Sequence, residues 1–187
     1  TFLSRLIGSL MRQSNAFKTD VFLERLVKKV LMPLMIELLF DPVKAVRETS
    51  LKALVQHVVH AGEETVETSS WRSKRVLIND ILWPLIRDHP RAMSTYLMRE
   101  AVLHAAAVLE VDEAQHLIPL LTRLGQDTVP NVRLVVSKVI SNLLDRHNGS
   151  WNDASLRSSY DQIVPLLRNL LEDSCNDVRE HASSAFL

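Results

Sequence analysis

Between Leu117 and Leu144 the chain reads LIPLLTRLGQDTVPNVRLVVSKVISNLL, with apolar residues recurring every three to four positions on both sides of Asp127. Leu117, Leu120, Leu121 and Leu124 fall at i, i+3, i+4 and i+7; Val132, Val135, Val136, Val139, Ile140, Leu143 and Leu144 continue at that spacing. A period near 3.6 gathers each set on one side of a helix, where a strand would alternate every second residue. The connection Gly125-Gln126-Asp127-Thr128-Val129 is too short for anything but an antiparallel pair. Pro130 suits a first helical turn, where its missing N–H costs nothing. The pattern predicts a helical hairpin.

The hairpin recurs. Pro33, Pro119 and Pro165 each precede an aspartate by eight residues, at Asp41, Asp127 and Asp173, and each aspartate is followed after four residues by Val-Arg, at Val46-Arg47, Val132-Arg133 and Val178-Arg179. Asp41 and Asp127 are 86 residues apart, two periods of 43, and Asp127 and Asp173 are 46 apart. Periods of roughly 40–47 residues with two helices each imply an all-α fold, an α-solenoid of the HEAT or armadillo kind, in which antiparallel hairpins stack into a right-handed superhelix. The chain then reads as a single array, with residues 1–14 ending a preceding repeat, repeats at 20–62, 70–110, 112–148 and 153–187, the last incomplete, and the whole a fragment of a longer solenoid.

Along the array, Asp20 is an expected N-cap, Pro33 is expected to bend its helix, and Val43 to Ala61 forms the next helix with Gly62 as its stop. Glu63 to Ser70 reads as a polar link before helices at Trp71 to Arg87 and at about Ala92 to Glu110. This repeat departs from the rule: Pro84 lies four residues before Asp88, Arg99 comes one position late, and the turn is expected to be longer and more exposed. In its second helix Met98, Ala101, Val102, Ala105, Ala106 and Leu109 should face inward, as should Ile163, Leu166, Leu167, Leu170 and Leu171 in the last repeat. Asp41, Asp127, Asp173, Arg47, Arg133 and Arg179 read as a structural ladder: each Asp accepts from N–H groups at a helix start, and each Arg reaches the Asp of its own or the neighbouring repeat.

Composition narrows the function. Lys plus Arg and Asp plus Glu stand at 22 each, so no net field would hold nucleic acid or an anionic membrane, although residues 1–30 carry six bases against two acids and 151–187 three against six. Only Lys44 and Arg91 lend positive charge to the turns. The single cysteine, Cys175, excludes an internal disulfide framework and fits a reducing compartment, so cytoplasm or nucleus is expected. No run reaches the length of a membrane span. His57 with His60 and Glu100 with His104 have ligand-like spacings but no third ligand, and read as helix-surface residues. No phosphate loop, nucleophile elbow or HExxH motif occurs, so no catalytic residue, metal or cofactor is expected. Asn148-Gly149-Ser150 reads as a helix stop, Trp71, Trp83 and Trp151 as packing between repeats, and Tyr96 as an exposed anchor for a protein partner.

Over residues 20–187 these features resemble the C-terminal HEAT repeats of the scaffold (A) subunits of type 2A protein phosphatase, and the related regulatory subunit 1 of type 4 phosphatase. DPVKAVRETSLKALV, STYLMREAVLHAAAVLE, DTVPNVRLVVSKVISNLL and DSCNDVREHASSAFL are similar to successive repeats, and the Y-L-x-R element at Tyr96, Leu97 and Arg99 is the more specific part. The resemblance implies a non-catalytic scaffold that grips a serine/threonine phosphatase catalytic subunit, with a further regulatory subunit or substrate as second partner. It implies a ridge of turn residues: Val43 and Lys44, Tyr96 and Leu97, Val129, Pro130 and Asn131, and Cys175 and Asn176. Lys44 stands where an aromatic is familiar, and the loop around His89 is longer, which implies a different catalytic partner; the long polar links at Glu63–Ser70 and Gly149–Asp153 imply a divergent relative. The alternative is a general HEAT-repeat adaptor for transport, the cytoskeleton or chromosomes.

Overall fold

A computed structural model of the chain describes residues 5, 6, 9, 25–62, 74–146 and 154–184. Expectations placed on Asp20, Glu63 to Ser70, Trp71, Asn148 to Ser150, Trp151 and Asp153 lie outside them, as does the side chain of His60. Among the described residues all regular structure is helical. The helices are α1 (Met32–Leu39), α2 (Lys44–Gly62), α3 (Trp83–Arg87), α4 (Tyr96–Leu109), α5 (Ile118–Leu124), α6 (Pro130–Arg146), α7 (Ala154–Leu171) and α8 (Asn176–Ser184).

The prolines shape the entries to three of them. A proline cannot donate to the carbonyl four residues back, and its ring crowds that carbonyl. Pro33, Pro84 and Pro119 each stand second in their α-helical segment. The chain ahead of each is widened into a π-helical stretch, at Val27–Leu31, Leu77–Leu82 and Glu113–Leu117. Bonds five residues long close these stretches: Met32 N–H to the Val27 carbonyl, Trp83 N–H to Ile78 and Leu117 N–H to Asp112. The expected disturbance at Pro33 is thus a local widening of the helix that makes room for the ring. Pro165 is accommodated inside α7 without one.

By packing, the chain divides into two compact units, Thr1–Ala92 and Met93–Leu187. In the first, α1 packs against α2 and α3, burying Met32, Met35, Ile36, Leu39 and Phe40. His57 is fully buried there, which corrects the surface reading. Its position explains this: Ala53, Leu54, His57 and Val58 form one stripe along α2, and all four are buried.

In the second unit α4, α6 and α8 pack side by side in one layer, and α5 and α7 lie beside each other in another. Helix α6 is rich in β-branched residues, which have modest helix propensity. Val132, Val135, Val136, Val139 and Ile140 are nonetheless buried along one stripe between α4 and α8. Burial contributes about 1.5–3 kcal/mol per such side chain, well above the few tenths that propensity costs. Leu144 and Leu171, expected in the core, are half-buried, and Leu103 is fully buried although the stripe in α4 did not require it. Gly125 ends α5 where a Cβ would run into a methyl of Leu166 on α7, which would have to shift to make room.

Helix α4 starts at Tyr96, because Ala92 to Thr95 belong to the preceding turn; this moves the expected start by four residues. Thr95 caps it, its side chain accepting from Met98 N–H at 3.3 Å. The helix ends at Glu110, which is left-handed at φ 55° and ψ 49° with its N–H bonded to the Ala106 carbonyl. Glycine is the natural occupant of that conformation. Glu110 also sits 3.7 Å from Arg146, but that pair is half-exposed and contributes only a few tenths of a kcal/mol. Glu110→Gly is therefore expected to raise stability by about 0.5–1 kcal/mol, read as an increased urea midpoint at unchanged slope; a lowered midpoint would show that the left-handed cap is not strained.

Candidate protein-interaction site

The turns that lead into α2, α6 and α8 are built alike. Each aspartate turns its own chain: Asp41 Oδ1 accepts from Val43 N–H at 2.7 Å, Asp127 Oδ1 from Val129 at 2.9 Å and Asp173 Oδ1 from Cys175 at 2.8 Å. Each arginine six residues on donates Nη1 to the carbonyl of that aspartate, Arg47 at 2.8 Å, Arg133 at 2.6 Å and Arg179 at 2.6 Å. The carboxylate satisfies an N–H that the helix start leaves without a partner, and the guanidinium straps the turn to the first turn of its helix.

In the second unit the same groups also join neighbouring turns. Arg133 directs Nε and Nη2 to the two oxygens of Asp173, at 2.6 and 2.8 Å. Arg99 pairs with Asp127 too, donating Nη2 to Oδ1 at 3.0 Å, with Nε 2.6 Å from Oδ2 in a charge contact that lacks hydrogen-bond alignment. These side chains are largely withdrawn from water, Asp173 and Asp127 being 7% and 8% exposed and Arg133 and Arg99 12% and 18%. Arg99 follows Pro84 one residue later than Arg47 follows Pro33, yet it keeps its place within its own helix. Arg99 N–H bonds to the Thr95 carbonyl as Arg47 N–H bonds to Val43 and Arg133 N–H to Val129, so all three stand fourth in their helices. The aspartate of the irregular turn is what has been replaced, by the Thr95 cap.

The first unit uses other chemistry. His89 stacks on Phe40 with ring centroids 4.3 Å apart and planes 10° from parallel. Its Nδ1 accepts from Arg91 N–H at 3.2 Å, which leaves the proton on Nε2, 3.1 Å from Glu37 Oε1. Arg91 donates to Glu37 Oε2 and, at 3.3 Å, to the Phe40 carbonyl. The longer turn is largely exposed, as expected, at Asp88, Pro90, Arg91, Ser94 and Thr95, while the His89 side chain and Ala92 are buried within it. Asp88 is spent on its neighbour Arg87, at 2.8 Å.

Each residue of the expected ridge lies at one of these helix starts. Val43, Lys44, Tyr96, Pro130, Asn131 and Asn176 are exposed, Tyr96 at 41%, whereas Leu97, Val129 and Cys175 are half-buried. Lys44 reaches Glu48 at 3.7 Å in an open pair of little energetic weight. Asn176 is engaged by Glu180 and Arg179. Among the described residues no group of three or more His, Cys, Asp or Glu side chains could hold a metal ion, and no helix is long and apolar enough to cross a membrane.

A family model for the HEAT repeat matches residues 31–56, from the end of the first π-helical stretch through the Asp41 turn into α2. This hairpin is similar to a HEAT repeat. No curated protein matches the chain.

The carboxylates carry the turns' pH dependence. Arg133 holds Asp173 below the usual carboxylate range, against burial and with help from Cys175 N–H. At Asp127 burial pushes upward, but Arg99, Val129 N–H and the charge of Arg133 together leave it lowered. Both are lower in the folded state than in the unfolded chain, so their stabilisation is complete above an ordinary Asp pKa of about 4 and is lost as pH falls below it. Asp173→Asn leaves the Arg133 charge without its carboxylate and is expected to cost about 3 kcal/mol at neutral pH. Urea unfolding from neutral to acid pH should show the variant losing less below pH of about 4 than the parent; parallel pH curves would remove the Arg133–Asp173 pair as a source of acid sensitivity.

Proposed function

We propose that the protein is a non-catalytic interaction scaffold whose turn edge holds a serine/threonine phosphatase catalytic subunit of the 2A type. One observation carries the choice of edge. In the second unit, the pairs Arg99–Asp127 and Arg133–Asp173 tie three successive turns into one rigid row, with Tyr96, Pro130, Asn131 and Asn176 on its exposed side. A fixed row needs little ordering when a partner arrives, and a half-exposed tyrosine is a favourable anchor because it presents much area with few rotamers. The similarity to a HEAT repeat at residues 31–56 supports an interaction scaffold. The phosphatase partner rests on the similarity of the repeat sequences, above all Tyr96, Leu97 and Arg99. A second regulatory subunit or substrate, and action in the cytoplasm or nucleus, belong to the same reading; the single Cys175 suits a reducing compartment.

The partner is tested by quantitative capture of the purified chain with catalytic subunits of phosphatase types 2A, 4 and 6. Tyr96→Ala with Leu97→Ala is expected to weaken capture by about 2–4 kcal/mol, roughly thirtyfold to several hundredfold, with unchanged helicity by circular dichroism. Undiminished capture would remove the ridge assignment. No capture of any of the three would leave the general HEAT-repeat adaptor as the better reading.

A further inference from the structure

Arg47, Arg99, Arg133 and Arg179 each stand fourth in a helix, α2, α4, α6 and α8. Three of them aim Nη2 at a side-chain oxygen: Arg99 at Asp127, Arg133 at Asp173 and Arg179 at Asn176, at 3.0, 2.8 and 2.9 Å. Arg47 differs. Its Nη1 serves two backbone carbonyls, Asp41 at 2.8 Å and Pro42 at 2.9 Å, and among the described residues no carboxylate takes the rest of its fork. The acids nearest in sequence are engaged elsewhere: Asp41 Oδ1 with Val43 N–H, and Glu48 with Lys44. Asp88, the aspartate closest to the ladder position in the next turn, pairs with Arg87.

We propose that Arg47 is a receptor for a carboxylate supplied by a partner protein, an Asp or Glu side chain in an exposed segment with an adjoining apolar residue that covers Val43. The two carbonyls fix the guanidinium before the partner arrives, and the free edge of the fork matches a carboxylate in shape and charge. Val43, 55% exposed, lies at the same helix start and offers the apolar contact. Arg99 and Arg133 show what the position does when it is filled: each grips both oxygens of one aspartate. The inference rests on the turn edge being the docking edge and adds the chemistry that this turn would select.

The test uses the purified chain with 15N-labelled arginine. The Nε–H signals are followed while adding an acetylated, amidated Leu-Asp-Leu peptide, its Leu-Asn-Leu counterpart, or the phosphoserine version. Saturable shifts confined to Arg47 are expected with the aspartate peptide. Binding at least about tenfold weaker is expected for the asparagine peptide and for Arg47→Lys, which keeps the charge and loses the fork. Equal binding of the aspartate and asparagine peptides, undiminished binding by Arg47→Lys at unchanged helicity, or no shift at millimolar peptide would overturn the proposal; so would a phosphoserine peptide bound about tenfold more tightly than aspartate. Peptide binding without capture of any phosphatase subunit would leave Arg47 as a carboxylate receptor and remove only the phosphatase partner. Capture that is indifferent to Arg47→Lys, with no peptide binding, would do the reverse.

Discussion

The second unit depends on the guanidinium of Arg133. It reaches the Asp127 carbonyl in its own turn and both carboxylate oxygens of Asp173 in the next, so one side chain closes a turn and sets its neighbour's position. A planar fork with fixed donor directions can do this, whereas a lysine would supply a point charge and no geometry. Taking the pair out of water is expensive, and only the full set of hydrogen bonds offsets that cost. Most acceptors are accounted for: one Asp173 oxygen also takes Cys175 N–H. The ladder thus fixes register more than it adds net stability, which comes mainly from the apolar stripes of α4, α6 and α8.

The irregular turn shows the same requirement met by other groups. Without a ladder aspartate before α4, Thr95 caps the helix and Arg99 still reaches forward to Asp127. In the first unit the turn folds back, laying His89 on Phe40 and bringing Arg91 to Glu37. His89 lowers the carboxyl of Glu37, with Arg91 adding to the effect, although burial opposes both. That cluster is half-open to water, so its energetic weight is smaller than that of the buried pairs in the second unit. At Arg47, by contrast, no carboxylate among the described residues takes the rest of the fork, and Asp88 is paired with Arg87.

The same geometry separates what holds the fold from what a partner could use. The charged groups of the second unit's turns are turned inward and matched, which leaves an edge of Tyr96, Pro130 and Asn131 that is largely uncharged. Such an edge discriminates by shape and hydrogen bonding, with little electrostatic steering. At the first unit's turn, Lys44, Arg47 and Val43 present a different chemistry, suited to an acidic segment with an apolar flank.

The helical hairpins, their inward stripes and the recurring Asp and Arg were legible in the sequence, because a 3.6-residue period and a motif repeated every 43 to 46 residues are local signals. The Asp127 and Asp173 turns and the stripe of Val132 to Leu143 needed no tertiary information. His57 did, since only the packing around α2 distinguishes a buried histidine on the Leu54–Val58 stripe from a surface one. The π-helical stretches before Pro33, Pro84 and Pro119 also escaped the sequence, because a proline states that a bond is lost and not how the helix makes room. Counted from Pro84, Arg99 stands one residue late; counted from the start of α4 at Tyr96, which the structure supplies, it stands fourth like the others. The pairing of Arg99 and Arg133 with aspartates of the following turn, and of His89 and Arg91 with Glu37 some fifty residues away, was decided by tertiary structure alone, because a side chain's partner across repeats depends on how the helices stack.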